Sequence, residues 1–99
     1  MTDTTTKQPF VIVYKQILND TRITRSSDIT VYCALSAYAD NITRQSWASI
    51  ATIAKMARCS ESSVRRALKT LSDLGYVRVD KQYDRIGKQT SNLYTVLNL

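Results

Sequence analysis

Histidine is absent from this chain of 99 residues. That absence removes Ser-His and Cys-His nucleophilic catalysis, imidazole metal ligands and the side chain that ordinarily titrates near neutral pH. Cysteine is nearly as scarce. Cys33 and Cys59 are the two thiols, far apart and without a CxxC pair, which leaves no ligand set for zinc. Both sit in apolar helical patterns and read as buried thiols; their spacing neither requires nor forbids a disulfide. No apolar run comes near the ~18 residues of a membrane span. The opening MTDTTTKQP has no basic segment leading into an apolar one, so a cytoplasmic protein is expected. Phosphate-cradling motifs of the GxxxxGKS/T or GxGxxG type are missing. Asp20, Asp28, Asp40, Glu61, Asp73, Asp80 and Asp84 occur singly, mostly at caps and turns. A binding protein is therefore expected rather than an enzyme, with no catalytic residues, no metal, no cofactor and no small-molecule ligand.

Acidic residues are outnumbered. Eight stand against 14 Lys and Arg, for a net charge of +6. Such an excess on a small domain favours a polyanionic partner, most often nucleic acid. An indifferent basic surface has the same total, so the placement of the charges decides. The length is that of one domain, and a hydrophobic fraction of 43% is enough for a small core.

Residues 1–9 are polar, threonine-rich and end in Pro9. They are expected to be a flexible N-terminal arm ahead of one domain over residues 10–99. Phe10, Val11, Ile12, Val13 and Tyr14 form a β-type run, expected as a short edge strand or an arm against a partner subunit. Residues 15–20 suit a turn of helix with Ile17 and Leu18 pointing inward, and Asn19, Asp20 and Thr21 suit a turn. Ser26, Ser27 and Asp28 mark the start of a helix over 29–39, ended by Asp40 and Asn41. Its apolar residues fall on two stripes: Ile29, Tyr32, Cys33 and Ser36 on one side, Val31, Leu35 and Tyr38 on the other. A surface helix needs one stripe. The second asks for either residues 10–18 or another subunit, and it motivates an expected homodimer through Val31, Leu35, Tyr38, Phe10 and Ile12.

Residues 44–48, with Trp47, fit a short strand or an extended link. Ser49 is a good N-cap for a helix over 50–58, and Ile50, Ile53, Ala54 and Ala57 make its core stripe. After a tight junction at Cys59, Ser60 caps a second helix over 60–74. Glu61 complements its dipole, and Val64, Ala67, Leu68, Leu71 and Leu74 form its buried stripe. Gly75 stands where a left-handed residue ends a helix. Alternation then starts at Tyr76 and runs to Tyr83, with Val77 and Val79 on one face. Asp84, Arg85, Ile86, Gly87 and Lys88 form a hairpin tip with Gly87 supplying the turn, and residues 92–97 return. The order of these signals predicts an α+β fold: a small winged helix-turn-helix of three main helices plus a β-hairpin wing.

Opposite its core stripe, the second helix of the pair carries Ser62, Arg66, Lys69 and, near its end, Asp73, with Arg65 on the flank. Arginine can bind guanine through two hydrogen bonds, lysine reaches guanine or phosphate, and serine contacts base edges or phosphate. Recognition helices read bases with their N-terminal residues, which puts Ser62, Ser63, Arg65 and Arg66 ahead of Lys69. The hairpin adds Lys81, Arg85, Lys88, Gln89 and Thr90, placed to lie over the sugar-phosphate backbone or dip an arginine into a minor groove. The same charges also protect an exposed edge strand from pairing with other chains. Tyr32, Tyr38, Trp47, Tyr76 and Tyr94 are candidates for stacking single-stranded bases, but their places in apolar stripes favour core packing.

The run ATIAKMARCSESSVRRALKTLSDLGYVRV followed by GKQTSNLYTV resembles the winged-helix domains near the N-termini of plasmid and phage replication initiators. ITVYCALSAYAD is similar to the first helix of that group. The likeness spans about residues 15–97 and is shared more loosely with MarR-like and GntR-like transcription regulators. It implies duplex DNA as partner, held by the 60–74 helix and the wing, often by a dimer. Ser62, Ser63, Arg65 and Arg66 match the group's recognition helix, and Lys81, Arg85 and Lys88 match its wing. Initiators usually continue into further domains, so an excised domain or a small stand-alone DNA binder of a mobile element is expected. The alternatives are a winged helix serving a protein partner, a centromere-type partition protein, or a single-strand or RNA binder.

Overall fold

The computed structural model describes residues 10–40 and 42–97. The elements run α1 (Lys15–Leu18), α2 (Ser26–Tyr38), β1 (Gln45–Ser46), α3 (Ile50–Ala57), α4 (Glu61–Asp73), β2 (Val77–Tyr83) and β3 (Gln89–Val96). The strands form one antiparallel sheet in the order β1-β3-β2. The expected α+β winged helix is found: α2, α3 and α4 are its three main helices and β2–β3 is its wing. The expected arm over residues 1–9 lies outside the described residues, as does Asn41.

Local chemistry sets most boundaries. The Ser49 hydroxyl accepts a hydrogen bond from the Thr52 amide at 3.1 Å and starts α3. The Ser60 hydroxyl accepts from the Ser63 amide at 3.1 Å and starts α4, each satisfying an amide that the helix leaves orphaned. At the far end of α4, Gly75 takes φ +86. The amides of Tyr76 and Gly75 then donate to the carbonyls of Leu71 and Ser72 at 2.9 and 3.1 Å, a closed left-handed cap. The end of α3 was not legible in this way. Arg58 adopts φ 58 there, a conformation for which glycine is the usual signal.

The core lies between α2, α3, α4 and the inner face of the sheet. Val31, Leu35, Ile53, Val64, Leu71 and Val96 are fully buried, as is Ile17 of α1. Tyr32 and Tyr76 meet edge to face with ring centroids 6.4 Å apart. β2 and β3 pair Val77 with Val96 and Val79 with Tyr94, which lays the valine face of the hairpin on the helices.

Several expectations are corrected. Apart from Tyr38 at its end, the apolar residues of both α2 stripes are buried or half-buried by the chain itself, because α2 packs against α3, α4 and β3 at once. Val31 and Leu35 are each 0% exposed and have no surface to give a dimer partner; Phe10, Ile12 and Tyr38 remain exposed. Residues 10–14 form no strand. The third strand is Gln45–Ser46, within the 44–48 stretch expected as a short strand or extended link, and it pairs with Tyr94 and Thr95. Leu18 points outward, since the single turn of α1 buries only Ile17. Tyr32, Tyr76 and Tyr94 do pack in the core, whereas Tyr38 and Trp47 are exposed. Cys33 and Cys59 are free thiols, half-buried rather than buried, and desolvation pushes the Cys33 thiol up.

One polar tie closes the hydrophobic body. Asp20 accepts from the Arg22 guanidinium at 2.9 and 2.6 Å and from the Tyr76 hydroxyl at 2.6 Å. Arg22 first, then Tyr76, hold its carboxyl well below the usual carboxylate range. A carboxylate stabilised on folding strengthens the fold above its unfolded value of 3.8, and that contribution fades as pH falls through the lowered native value. Asp20→Asn is therefore expected to melt earlier than wild type at neutral pH. The difference should shrink on acidification below 3.8. Circular-dichroism melts across that range check it; a difference independent of pH would contradict the tie.

Candidate nucleic-acid interface

The helix pair is joined by three residues, Arg58, Cys59 and Ser60. The left-handed Arg58 and the Ser60 cap force the chain to turn sharply there. α4 consequently packs one face on α2 and α3 and leaves the other in solvent. Val64, Ala67, Leu68 and Leu71 are on the inner face, and Ser62, Arg65, Arg66 and Lys69 are exposed. The helical period thus brings together on one surface the residues expected to face DNA.

Their electrostatic states differ. Arg65 pairs with Glu61 at 3.5 Å and Lys69 with Asp73 at 3.3 Å. Exposed pairs of this spacing hold about 0.3–0.5 kcal/mol each, so a phosphate can break them, at the cost of exposing a carboxylate to it. Arg66 has no carboxylate partner among the described residues. Its guanidinium donates to the Ser63 hydroxyl at 3.2 Å, and Ser63 in turn accepts from Ser60 at 3.0 Å. The N-cap therefore steadies Ser63, and Ser63 steadies Arg66. Ser63 is half-buried and acts on Arg66, whereas Ser62 is open to solvent.

The wing begins where α4 ends and runs back beside it. Val79, Lys81 and Asn92 line a groove with Arg65, Lys69 and Asp73. Three cations border this channel. At the hairpin tip the Asp84 carboxylate accepts from the amides of Ile86 and Lys88 at 3.0 and 2.9 Å. The Asp84 amide donates to the Lys88 carbonyl at 2.9 Å, and Gly87 turns the chain at φ +87. Arg85 and Lys88 are exposed on this tip. Gln89 and Thr90 belong to β3, with Gln89 opposite Tyr83. They extend the wing's stem beyond the Asp84–Lys88 tip. Arg78 pairs with Asp80 at 3.1 Å.

Two cations escaped the sequence analysis. Lys55 and Arg58 line a shallow groove at the α3–α4 turn with Ser60 and Glu61, beside the amino end of α4. The available signal was two basic residues in the last turn of the first helix of the pair. An apolar stripe shows which face of α3 is buried and is silent on what the polar positions of its last turn stand beside. Among the described residues no cluster of three His, Cys, Asp or Glu side chains could hold a metal ion, and no helix is long and apolar enough to cross a membrane.

In fold, the chain is similar to a possible transcriptional regulator from Methanosarcina mazei Go1. The two superimpose with a TM-score of 0.58 over 92% of this chain and 77% of that one, at 13% sequence identity. At that identity the likeness speaks for the fold alone. Among curated proteins none matches the chain in sequence. A helix-turn-helix domain profile matches residues 25–77. That span takes in α2, α3, the Arg58–Cys59–Ser60 turn and all of α4, and with more than half of its length matched the chain belongs to the helix-turn-helix domain family.

Proposed function

We propose that this protein is a DNA-binding regulator that grips duplex DNA, with α4 in the major groove and the wing over the adjacent backbone. It acts by occupying a site, not by catalysis. The observation that carries this reading is Arg66: an exposed guanidinium near the amino end of the second helix, held by Ser63 and free of any carboxylate among the described residues. A steadied fork of donors at that position suits the two acceptors of a guanine edge. Arg65, Lys69 and Lys81, around the groove between α4 and the wing, suit phosphates. Membership of the helix-turn-helix family and the net charge of +6 support the same partner. The structural neighbour's description as a possible transcriptional regulator supports a role at a promoter. The resemblance to plasmid and phage initiators supports the same occupancy at an origin, where it would nucleate replication. A homodimer reading an inverted repeat would have to form through Phe10, Ile12 and Tyr38, since Val31 and Leu35 are closed.

The test is fluorescence anisotropy with labelled genomic duplex fragments and the matching single strands. If about six phosphates are neutralised, log K for duplex falls with log salt with a slope near −5. Saturable duplex binding with such a slope is the expected result. Preference for single strands, or affinity indifferent to salt, would overturn it.

A further inference from the structure

We infer that Ile86, at the tip of the wing, is an apolar wedge that enters the minor groove and bends the duplex held by α4. The inference rests on the duplex-binding reading. Ile86 is 86% exposed, so folding hides almost none of its side chain. Exposed single isoleucines are ordinary on protein surfaces; the surroundings of this one are not. Its backbone is fixed: Asp84 accepts from the Ile86 and Lys88 amides, and the Gly87 amide donates to the Asp84 carbonyl at 3.1 Å. Arg85 and Lys88 flank it, both exposed and neither ion-paired among the described residues. An apolar side chain between two free cations, on a rigid projecting turn, matches the demands of a minor groove. The cations meet phosphates on either side, and the aliphatic group meets the sugars and base edges, where water is displaced.

The tip is also in the right place. β2 leaves the carboxyl end of α4 and returns along it, sharing the groove of Arg65, Lys69 and Lys81. Seven strand residues and thirteen helical residues each span about 20 Å. Lys81 already stands beside Arg65, one turn from the amino end of α4, and the inference places the tip beyond it, level with that end. Ile42 is the internal contrast. It is 88% exposed and is held by a similar turn, with the Asp40 carboxylate accepting from the amides of Ile42 and Thr43 at 2.8 and 3.0 Å. It lies at the opposite end of the sheet, however, next to the Arg44 carbonyl that accepts from Val96, about 20 Å of strand away from Gln89. Exposure and the Asp-capped turn are matched; the place and the flanking cations differ.

Wedges of this kind unstack a base step and kink the duplex by about 20–90° toward the major groove, most readily at pyrimidine–purine steps. The test starts from the tightest binders in a random-sequence pool of duplexes about four helical turns long. These carry fluorophores at both ends to report bending, and 2-aminopurine at successive steps to report unstacking. Wild type is expected to bend the duplex by at least about 20° and to raise 2-aminopurine fluorescence at one step. Ile86→Ala should abolish both signals and weaken binding roughly tenfold. Ile86→Leu should restore them, and Ile42→Ala should change nothing. Equal bending by wild type and Ile86→Ala, or a duplex left straight by wild type, would overturn the wedge while leaving an Arg66-dependent duplex binder intact. Failure of every duplex in the pool to bind would overturn the duplex reading and the wedge with it.

Discussion

Arg66→Ala is expected to weaken binding of the tightest duplex by about 1–3 kcal/mol, roughly five- to 150-fold, and to leave affinity for bulk DNA much closer to wild type. The size follows from pairing on the helix surface. Arg65 and Lys69 each have a carboxylate to return to, Glu61 and Asp73, so part of what DNA gives them is already supplied by the protein. Among the described residues Arg66 has only the Ser63 hydroxyl, a neutral acceptor, and no carboxylate there offsets its charge. Arg65→Ala and Lys69→Ala should therefore cost less each, and should act on all sequences alike as phosphate contacts do. Arg66→Lys should fail to rescue discrimination, because an ammonium lacks the planar fork that two guanine acceptors require. Anisotropy titrations at one salt concentration, run with the selected duplex and with bulk DNA, measure the contrast. Equal affinity of wild type and Arg66→Ala for the selected duplex would remove Arg66 from the interface.

Leu35→Ala is expected to destabilise the fold by about 2–5 kcal/mol. Leu35 is 0% exposed on the helix that touches α3, α4 and β3, so truncation opens a cavity that the surrounding elements cannot collapse into without parting from one another. For a domain of this size the melting temperature should fall by at least about 10 °C. The protein-concentration dependence of that fall is as informative as its size. A residue inside a monomer's core lowers the melting temperature equally at all concentrations, whereas a residue at a dimer interface makes it concentration-dependent. A concentration-independent loss is expected, with Tyr38→Ala, on the exposed end of the same helix, changing stability by about 0.5 kcal/mol or less. Concentration-dependent melting abolished by Leu35→Ala would restore the interface that the helix wheel first implied.

The contrast between Leu35 and Arg66 shows where sequence reasoning succeeds. The polar face of α4 was legible because it follows from a local repeat: Val64, Leu68 and Leu71 turn inward, and the helical period then puts Arg66 and Lys69 outward. The pairs Glu61–Arg65 and Lys69–Asp73 were legible in principle from their four-residue spacing, yet nothing local says that Arg66 is the cation left over until every neighbour has been placed. The two stripes of α2 were visible, but their interpretation failed. A helix wheel shows that a face must be covered and is silent on whether the same chain or another covers it.

By itself, the sequence determined the elements governed by contacts within a few residues. These are the caps at Ser49 and Ser60, the stop at Gly75, the turn at Gly87 and the alternation of β2, each of which is a hydrogen bond or a backbone conformation satisfied locally. The tertiary structure alone decided what depends on distant partners. It enclosed Val31 and Leu35, drew Gln45–Ser46 rather than residues 10–14 into the sheet, and tied Asp20 to Tyr76 across 56 positions. It also set Lys81 of the wing beside Arg65 and Lys69 of α4. Those outcomes turn on which apolar faces can be buried together at the least loss of chain entropy, a competition among all the elements at once that no single segment records.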